Sequence, residues 1–328
     1  MVLNMLKQRK IPEPKPLFLE RMQKLFQNKK DFKNYLEILK HKPVKSIRCN
    51  TLKISPEKLK KKLEVYGWKI IQPWKTNPEV MIVDTELEPG ELGRSLEHLL
   101  GYYYIQELAS MLPVIALEPK QGEKILDLCS APGSKTTQIA AKMQNTGFII
   151  ANEISLGRIK ILASNLERCG VTNTIITKKE GAALCKRFKK QDLKFDKILI
   201  DTPCSGEGTL RSKYKTYIMW NIKTIKSLPK IQFNLFKNAF EILKIGGEII
   251  YSTCTHAPEE NEGVVNRILE EFKDRIKIQK IKIPIKSRQG ITKWESNKYN
   301  PKVKSTCRIY PQDNNTEGFF LAKFKKIK

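Results

Sequence analysis

Two cysteines stand where two apolar runs end. ILIDTPCSGEGTL (198–210) carries Cys204 behind an acid and a proline, and EIIYSTCTH (248–256) carries Cys254 fifty residues further on. A thiolate is a soft nucleophile that adds to electrophilic carbon, carbon 6 of a pyrimidine ring included. Addition there turns carbon 5 into an enamine-like centre able to attack a methyl sulfonium. It also places charge on ring nitrogen 3, where a nearby carboxyl group helps. Asp201, three residues before Cys204, is the candidate for that edge. Afterwards the carbon-5 proton must leave and the thiol must be eliminated, which gives a second functional group a task of its own. A cysteine taken singly is most often just a small buried residue, so the elements around the pair have to decide.

A second stretch, ILDLCSAPGSKTTQIA (125–140), reads as strand, tight turn and helix start. Gly133 sits where the turn bends, Pro132 precedes it, and Ser134 is expected to cap the helix. Backbone N–H groups at such a helix N-terminus suit an anionic or carboxylate-bearing ligand. The turn is not a dinucleotide G-x-G-x-x-G loop, because two of the three glycines are absent. Glu153, at the tip of the next strand, is placed to accept hydrogen bonds from ribose hydroxyls.

What positions these residues is an alternation of strands and helices from about residue 120 onward. Apolar runs at 123–129, 147–153, 173–177, 195–201 and 246–253 alternate with helical patterns at 134–143, 155–169, 228–243 and 258–271. Wholly apolar strands separated by helices predict a parallel sheet covered on both faces. Ligands of such sheets gather at the carboxyl ends of the strands. Cys129, Glu153, Asp201, Cys204 and Cys254 all fall at those ends. Before this unit, residues 16–40 read as two amphipathic helices, 44–54 as a strand, and 56–66 as a helix capped by Ser55. Short strands are expected near 68–72 and 80–83. The division predicted is 1–118 for a small α/β domain and 119–328 for the larger unit. The stretch 272–305 reads as basic and irregular, before a last strand pair ending in GFFLAKF.

Composition narrows the class. The 328 residues carry a net charge of +27, which attracts a polyanion, nucleic acid above all. Lysine dominates that excess, Arg supplying 12 of the 61 basic residues. Seven cysteines without CxxC spacing fit neither a disulfide framework nor a zinc site, and no metal is expected. They suit a reducing, cytoplasmic setting. No run of apolar residues is long enough to span a membrane, and MVLNMLKQRKIPEPKP lacks the pattern of a signal peptide.

Taken together, DLCSAPGSKT, DTPCSGEGTLR and YSTCTHAPEENEGVV resemble the signature blocks of the Sun-type (NOL/NOP/Sun) RNA cytosine-5 methyltransferases. GYYYIQELASMLP (101–113), RIYPQDNNTEGFFLAKF (308–324) and SIRCNTLKIS extend the resemblance over roughly residues 44–325. It implies a Rossmann-like α/β methyltransferase sheet, mostly parallel with helices on both faces, beside a smaller N-terminal α/β RNA-binding domain. It implies S-adenosylmethionine as cofactor and structured RNA, transfer or ribosomal, as partner of a monomer. Cys254 matches the family's nucleophile and Cys204 the cysteine that assists product release. Asp201 matches the acid that binds the target base, and Lys135 the lysine closing the first block. Cys129, Ser130, Ala131, Pro132, Gly133, Ser134 and Lys135, with Glu153, Arg158 and Asp201, match the cofactor site. Glu180 stands where the family usually has Asp, and Gln312 where members often have His after Tyr-Pro.

Other readings compete. A DNA cytosine-5 methyltransferase would use Cys204 as the nucleophile, but it would want a glycine-rich first block and a large target-recognition region. An amino-group methyltransferase would show acid-Pro-Pro-aromatic, and DTPC lacks the second proline and the aromatic. A non-catalytic RNA-binding scaffold predicts a lost thiol or a broken cofactor loop, and both are intact.

Overall fold

The computed structural model describes residues 13–328; the N-terminal stretch weighed as a signal peptide falls mostly outside them. Two sheets organise the chain. The smaller is antiparallel, formed by β1 (Ser46–Cys49), β2 (Ile70–Ile71), β3 (Val80–Val83) and β4 (Tyr103–Ile105) in the order β2-β3-β1-β4. Helix Pro56–Val65 covers one face, burying Leu59 and Leu63 against Ile47, Met81 and Trp68. Ser55 caps it as expected, its hydroxyl accepting the Lys58 N–H at 3.3 Å.

The larger sheet begins with β5 (Lys124–Asp127), β6 (Phe148–Asn152), β7 (Thr174–Thr177), β8 (Phe195–Asp201) and β9 (Leu243–Thr253). All four pairings among these five strands are parallel, in the order β7-β6-β5-β8-β9. The chain winds outward from β5 to β7 and returns as β8 beside β5, so the switch point lies between β5 and β8. A crevice opens at the carboxyl ends of strands at such a point.

The remaining strands correct the expectation for 272–305. That segment contains β10 (Ile276–Gln279), β11 (Arg288–Gln289) and the hairpin β12 (Lys293–Trp294) and β13 (Asn297–Lys298). Strands β14 (Cys307–Ile309) and β15 (Phe319–Lys326) follow, and β15 lies antiparallel between β9 and β14 while also pairing β10. Basic composition hid a strand whose alternation is present: Ile276 is buried and Lys277 exposed.

The helix expected at 228–243 begins earlier and spans Ile222–Glu241, passing through Pro229. An interior proline costs about 3 kcal/mol. Phe233, Phe236 and Phe240 are all buried on one face of this helix, and roughly 1.5–3 kcal/mol apiece outweighs that penalty. Asn221 sets the start, its side chain accepting the Thr224 N–H at 2.8 Å.

Helices Pro16–Phe26 and Lys29–Leu39, read with the small domain, lay their apolar faces on the large unit. Phe18, Met22, Phe26 and Tyr35 pack with Leu210, Tyr217, Trp220 and Ala257, on the segments that follow β8 and β9, and with Tyr310 just beyond β14. Arg21 forks onto the Glu259 carboxylate at 2.8 and 2.9 Å, and Arg211 donates to the His41 and Lys42 carbonyls. Helix Leu108–Leu117 packs on the large sheet with Ile125, Leu199 and Ile250. The small sheet is fastened by Arg48, whose guanidinium binds Gln106, the Ser134 carbonyl and the Thr137 hydroxyl. Asn50 donates to the Gly101 and Cys169 carbonyls, both at 2.8 Å. No described helix is long and apolar enough to cross a membrane.

Candidate active site

The first block forms a hooked loop beyond β5. The Ser130 N–H and hydroxyl both donate to the Asn152 carbonyl at 2.9 Å, which pins Ser130 to the end of β6. Gly133 closes the turn with its N–H on the Ser130 carbonyl at 2.8 Å and φ at +103°, a conformation that favours glycine. A side chain there would also crowd Leu162, whose Cδ1 lies 3.0 Å from an added Cβ. Helix Ser134–Lys142 starts one residue earlier than expected of a Ser134 cap: Gly133 is the cap residue, and no side chain caps it. The Ser134 carbonyl instead accepts from Arg48. Cys129, Ala131 and Pro132 complete the loop; burial pushes the Cys129 thiol well up.

Glu153 follows β6 with its side chain buried. It accepts the Ser155 N–H at 2.9 Å and pairs with Arg158 at 2.9 Å, while Arg158 also donates to the Ala131 carbonyl. Glu180, beyond β7, accepts the N–H groups of Ala182 and Ala183 and caps the helix Gly181–Lys190.

Asp201 ends β8. Its carboxylate takes Lys135 Nζ at 2.7 Å on one oxygen and the Ser252 hydroxyl at 2.7 Å on the other. Lys135 also donates to the Ser110 hydroxyl at 3.1 Å and lies 5.5 Å from the Phe319 ring centroid. Lys135 is buried while the Asp201 side chain is 27% exposed, so water reaches this pair from the aspartate side.

The two thiols meet. Cys204 Sγ lies 3.2 Å from Cys254 Sγ, and the Cys254 N–H points at Cys204 Sγ from 3.3 Å. The loops that carry them are tied together. Ser205 and Thr255 hydroxyls are 2.7 Å apart, and the Gly208 N–H donates to the Cys254 carbonyl at 2.9 Å. Cys254 titrates below an ordinary thiol because of its hydrogen bond with Cys204, with Lys213 and Lys135 adding positive potential against burial and the Asp201 charge. Cys204 titrates well above, because of the same hydrogen bond, its burial and the nearby Glu260. Burial moves the other five thiols upward. Cys254 is therefore the one cysteine of the seven poised towards thiolate.

The fold thus brings Cys204, Cys254, Asp201 and Lys135 to one place, with the Cys129–Lys135 loop beginning beside β8 and Glu153 at the next strand tip. Several neighbours escaped the sequence reading. Asp127 is buried, pushed up to about 6 by burial, and takes the Thr136 hydroxyl at 2.7 Å on one oxygen while the other has no partner. An acid within the apolar run ILDLC was the available signal. Ser110, Ser252 and Phe319 carried no signal before the fold was known, since each reaches the site from a distant element.

The donor set suits a cationic, ribose-bearing ligand. Asp127 and Asp201 are carboxylates beside the loop, and Glu153 is an acceptor one strand away. Comparison with known proteins agrees. A family model described as 16S rRNA methyltransferase RsmB/F matches residues 114–325, and one for the N-terminal domain of 16S rRNA methyltransferase RsmF matches 14–108. A tRNA (cytosine(49)-C(5))-methyltransferase of Pyrococcus abyssi is 40% identical over 94% of this chain and 95% of its own length. Ribosomal RNA small subunit methyltransferase F of Vibrio campbellii is 36% identical over 97% of this chain, which spans only 63% of that protein. A methyltransferase homologue from Pyrococcus horikoshii superposes with a TM-score of 0.82 at 32% identity, covering 94% of both chains. NSun6 from the same organism, solved with SFG, superposes at 0.79 with 26% identity over 94% of this chain and 97% of that one. The Rossmann-like sheet, the paired thiols at its strand ends and these matches agree: the chain belongs to the RsmB/F methyltransferase family, the Sun-type group its sequence blocks resemble.

Proposed function

We propose that this protein methylates carbon 5 of a cytosine in structured RNA, using S-adenosylmethionine, through a covalent bond between Cys254 and the base. The observation that carries the covalent reading is the thiol pair, one sulfur poised towards thiolate and 3.2 Å from the other. Cofactor use accords with family membership and with the NSun6 relative, solved with SFG. Residues Cys129–Lys135 with Glu153, Arg158 and Asp201 hold the cofactor, and Glu180 stands at the same sheet edge. The bound cofactor supplies an electrophilic methyl group.

The protein's own groups do the rest. Cys254 adds as thiolate to carbon 6, forming a C–S bond and making carbon 5 nucleophilic. Asp201, fixed by Lys135 and Ser252, serves the ring nitrogen 3 edge. After methylation the carbon-5 proton is lost, the C–S bond breaks and Cys254 leaves as thiolate. The 3.2 Å separation of the two sulfurs supports Cys204 as the residue that assists that elimination. The domain comprising residues 1–118 recognises the RNA, and 119–328 carry the chemistry.

Transfer RNA is the favoured substrate class. The P. abyssi relative named for tRNA is 40% identical to this chain, against 36% for the V. campbellii relative named for ribosomal RNA, which supports that reading. The chain acts as a monomer in the cytoplasm, where its thiols stay reduced.

RNA containing 5-fluorocytosine tests the mechanism, since fluorine blocks the proton loss that precedes release. Wild-type protein should form a denaturant-resistant complex, and Cys254→Ala none. Cys204→Ala should instead stall with ordinary RNA attached. A stable adduct in Cys254→Ala and none in Cys204→Ala would exchange the roles, as a DNA-type mechanism requires. Mass spectrometry of RNA from a deletion strain would show 5-methylcytosine lost from tRNA, or from rRNA if the substrate assignment is wrong.

A further inference from the structure

Cys204 lies on an irregular loop, and its two neighbouring peptide groups are held by side chains from elsewhere. Gln232, on the helix Ile222–Glu241, donates one amide hydrogen to the Pro203 carbonyl at 3.0 Å and the other to Glu260 Oε2 at 2.8 Å. The same Glu260 oxygen accepts the Ser205 N–H at 3.0 Å. The peptide before Cys204 and the peptide after it are thereby bridged by one amide and one carboxylate. Both side chains are 0% exposed. Glu260 is itself fixed, its backbone carbonyl accepting the Tyr251 hydroxyl at 2.6 Å.

Burying a carboxylate is expensive, and this one has no cation among its hydrogen-bond partners. Burial raises it to about 7, against the hydrogen bonds from Ser205 and Gln232, and nearby Glu207 pushes the same way. Glu260 Oε1 has no partner at all. Its negative charge in turn adds to the upward shift of Cys204. A group kept at such expense, aimed at the backbone on either side of one thiol, fits a task in holding that thiol.

We infer that Glu260 and Gln232 are positioning residues which hold Cys204 against Cys254, and that this hold is needed for release of the methylated base rather than for attack. The inference rests on the assignment of Cys204 to release. Attack should survive loss of the clamp. Cys254 continues directly from β9, and the Ser205–Thr255 and Gly208–Cys254 contacts that tie the two loops do not involve Glu260.

The experiment compares Glu260→Ala, Glu260→Gln and Gln232→Met with Cys204→Ala and wild type. Adduct formation and adduct decay are timed separately on denaturing gels with unmodified RNA and S-adenosylmethionine. Glu260→Ala and Gln232→Met should form adduct normally and lose it about ten- to a hundredfold more slowly than wild type, the scale expected when a reacting group is displaced. Glu260→Gln should release near the wild-type rate, because one amide oxygen can accept both N–H groups. A merely structural role would depress formation and decay together and would not be rescued by glutamine. Wild-type decay in Glu260→Ala and Gln232→Met, alongside a stalled Cys204→Ala, would overturn the inference alone. Normal decay in Cys204→Ala would overturn the release assignment and the inference with it. Should Glu260→Ala not fold, Gln232→Met carries the comparison.

Discussion

At the scale of single residues, the question is why two thiols in contact differ. The one hydrogen between them must sit on one sulfur, and the surroundings choose. The hydrogen bond between the sulfurs lowers Cys254, with Lys213 and Lys135 acting the same way against burial and Asp201, whereas burial and Glu260 both raise Cys204. The first proton lost therefore leaves Cys254 as thiolate with Cys204 as its donor. Because the pKa of Cys254 is depressed, its thiolate persists below the pH at which an ordinary thiol protonates. The rate of alkylation by iodoacetamide, followed by peptide mass spectrometry, should fall with pH later for Cys254 than for a free cysteine. In Cys204→Ala the donor is gone, so the Cys254 profile should shift to higher pH; an unmoved profile would show that the pair does not share its proton. The sequence disclosed the two cysteines, Asp201 and Lys135, because each sits in a contiguous block with a chemical logic. It could not disclose Ser252 or Gln232 as partners, since their meaning arises only when β8, β9 and a helix come together.

At the scale of elements, the parallel strands and most of their helices were legible because wholly apolar runs and 3.6-residue periods are strong signals; the short helix Gly181–Lys190 between β7 and β8 was not read. The short strands of 276–298 were not, since basic residues stand in all of them; the first two are defined by pairing with strands near the C-terminus, and the last two, of two residues each, pair only with one another. The Ser134 cap failed for a related reason. Serine is a good cap by propensity, but Gly133 supplies the left-handed bend and the Thr136 and Thr137 hydroxyls bond to Asp127 and the Gly133 carbonyl. That bend is testable. Gly133→Ala puts a Cβ at φ +103° and 3.0 Å from Leu162, a strain on the order of 1–3 kcal/mol. The loop should yield before the sheet does. Calorimetric titration with S-adenosylmethionine should show weakened binding by about tenfold or more, at 1.4 kcal/mol per decade, in protein that still unfolds cooperatively. Unchanged affinity would mean that the turn does not shape the cofactor site.

At the scale of the whole molecule, little of the excess of 27 positive charges sits in the core. Buried Arg308 pairs with Glu262, buried Arg48 and Arg211 are held by carbonyls and neutral side chains, and many acids on the surface already pair with lysines. The uncompensated lysines must therefore lie outside, as Lys61 and Lys62 do on the exposed face of helix Pro56–Val65. A charge of this kind repels itself and slightly opposes folding, so its retention calls for a polyanion. The composition alone could also reflect a lysine-rich proteome, and salt separates the two. Each phosphate neutralised releases condensed counterions, giving a slope near −0.9 per contact in a plot of log affinity against log salt for duplex sites. Six such contacts would give a slope of about −5, and affinity would fall on the order of a thousandfold between 50 and 200 mM salt. Filter binding of tRNA to Cys254→Ala, which lacks the thiol proposed to bond to the base, measures this without interference from the proposed chemistry. A slope near zero would detach the charge from substrate binding and leave recognition to the small domain's uncharged contacts.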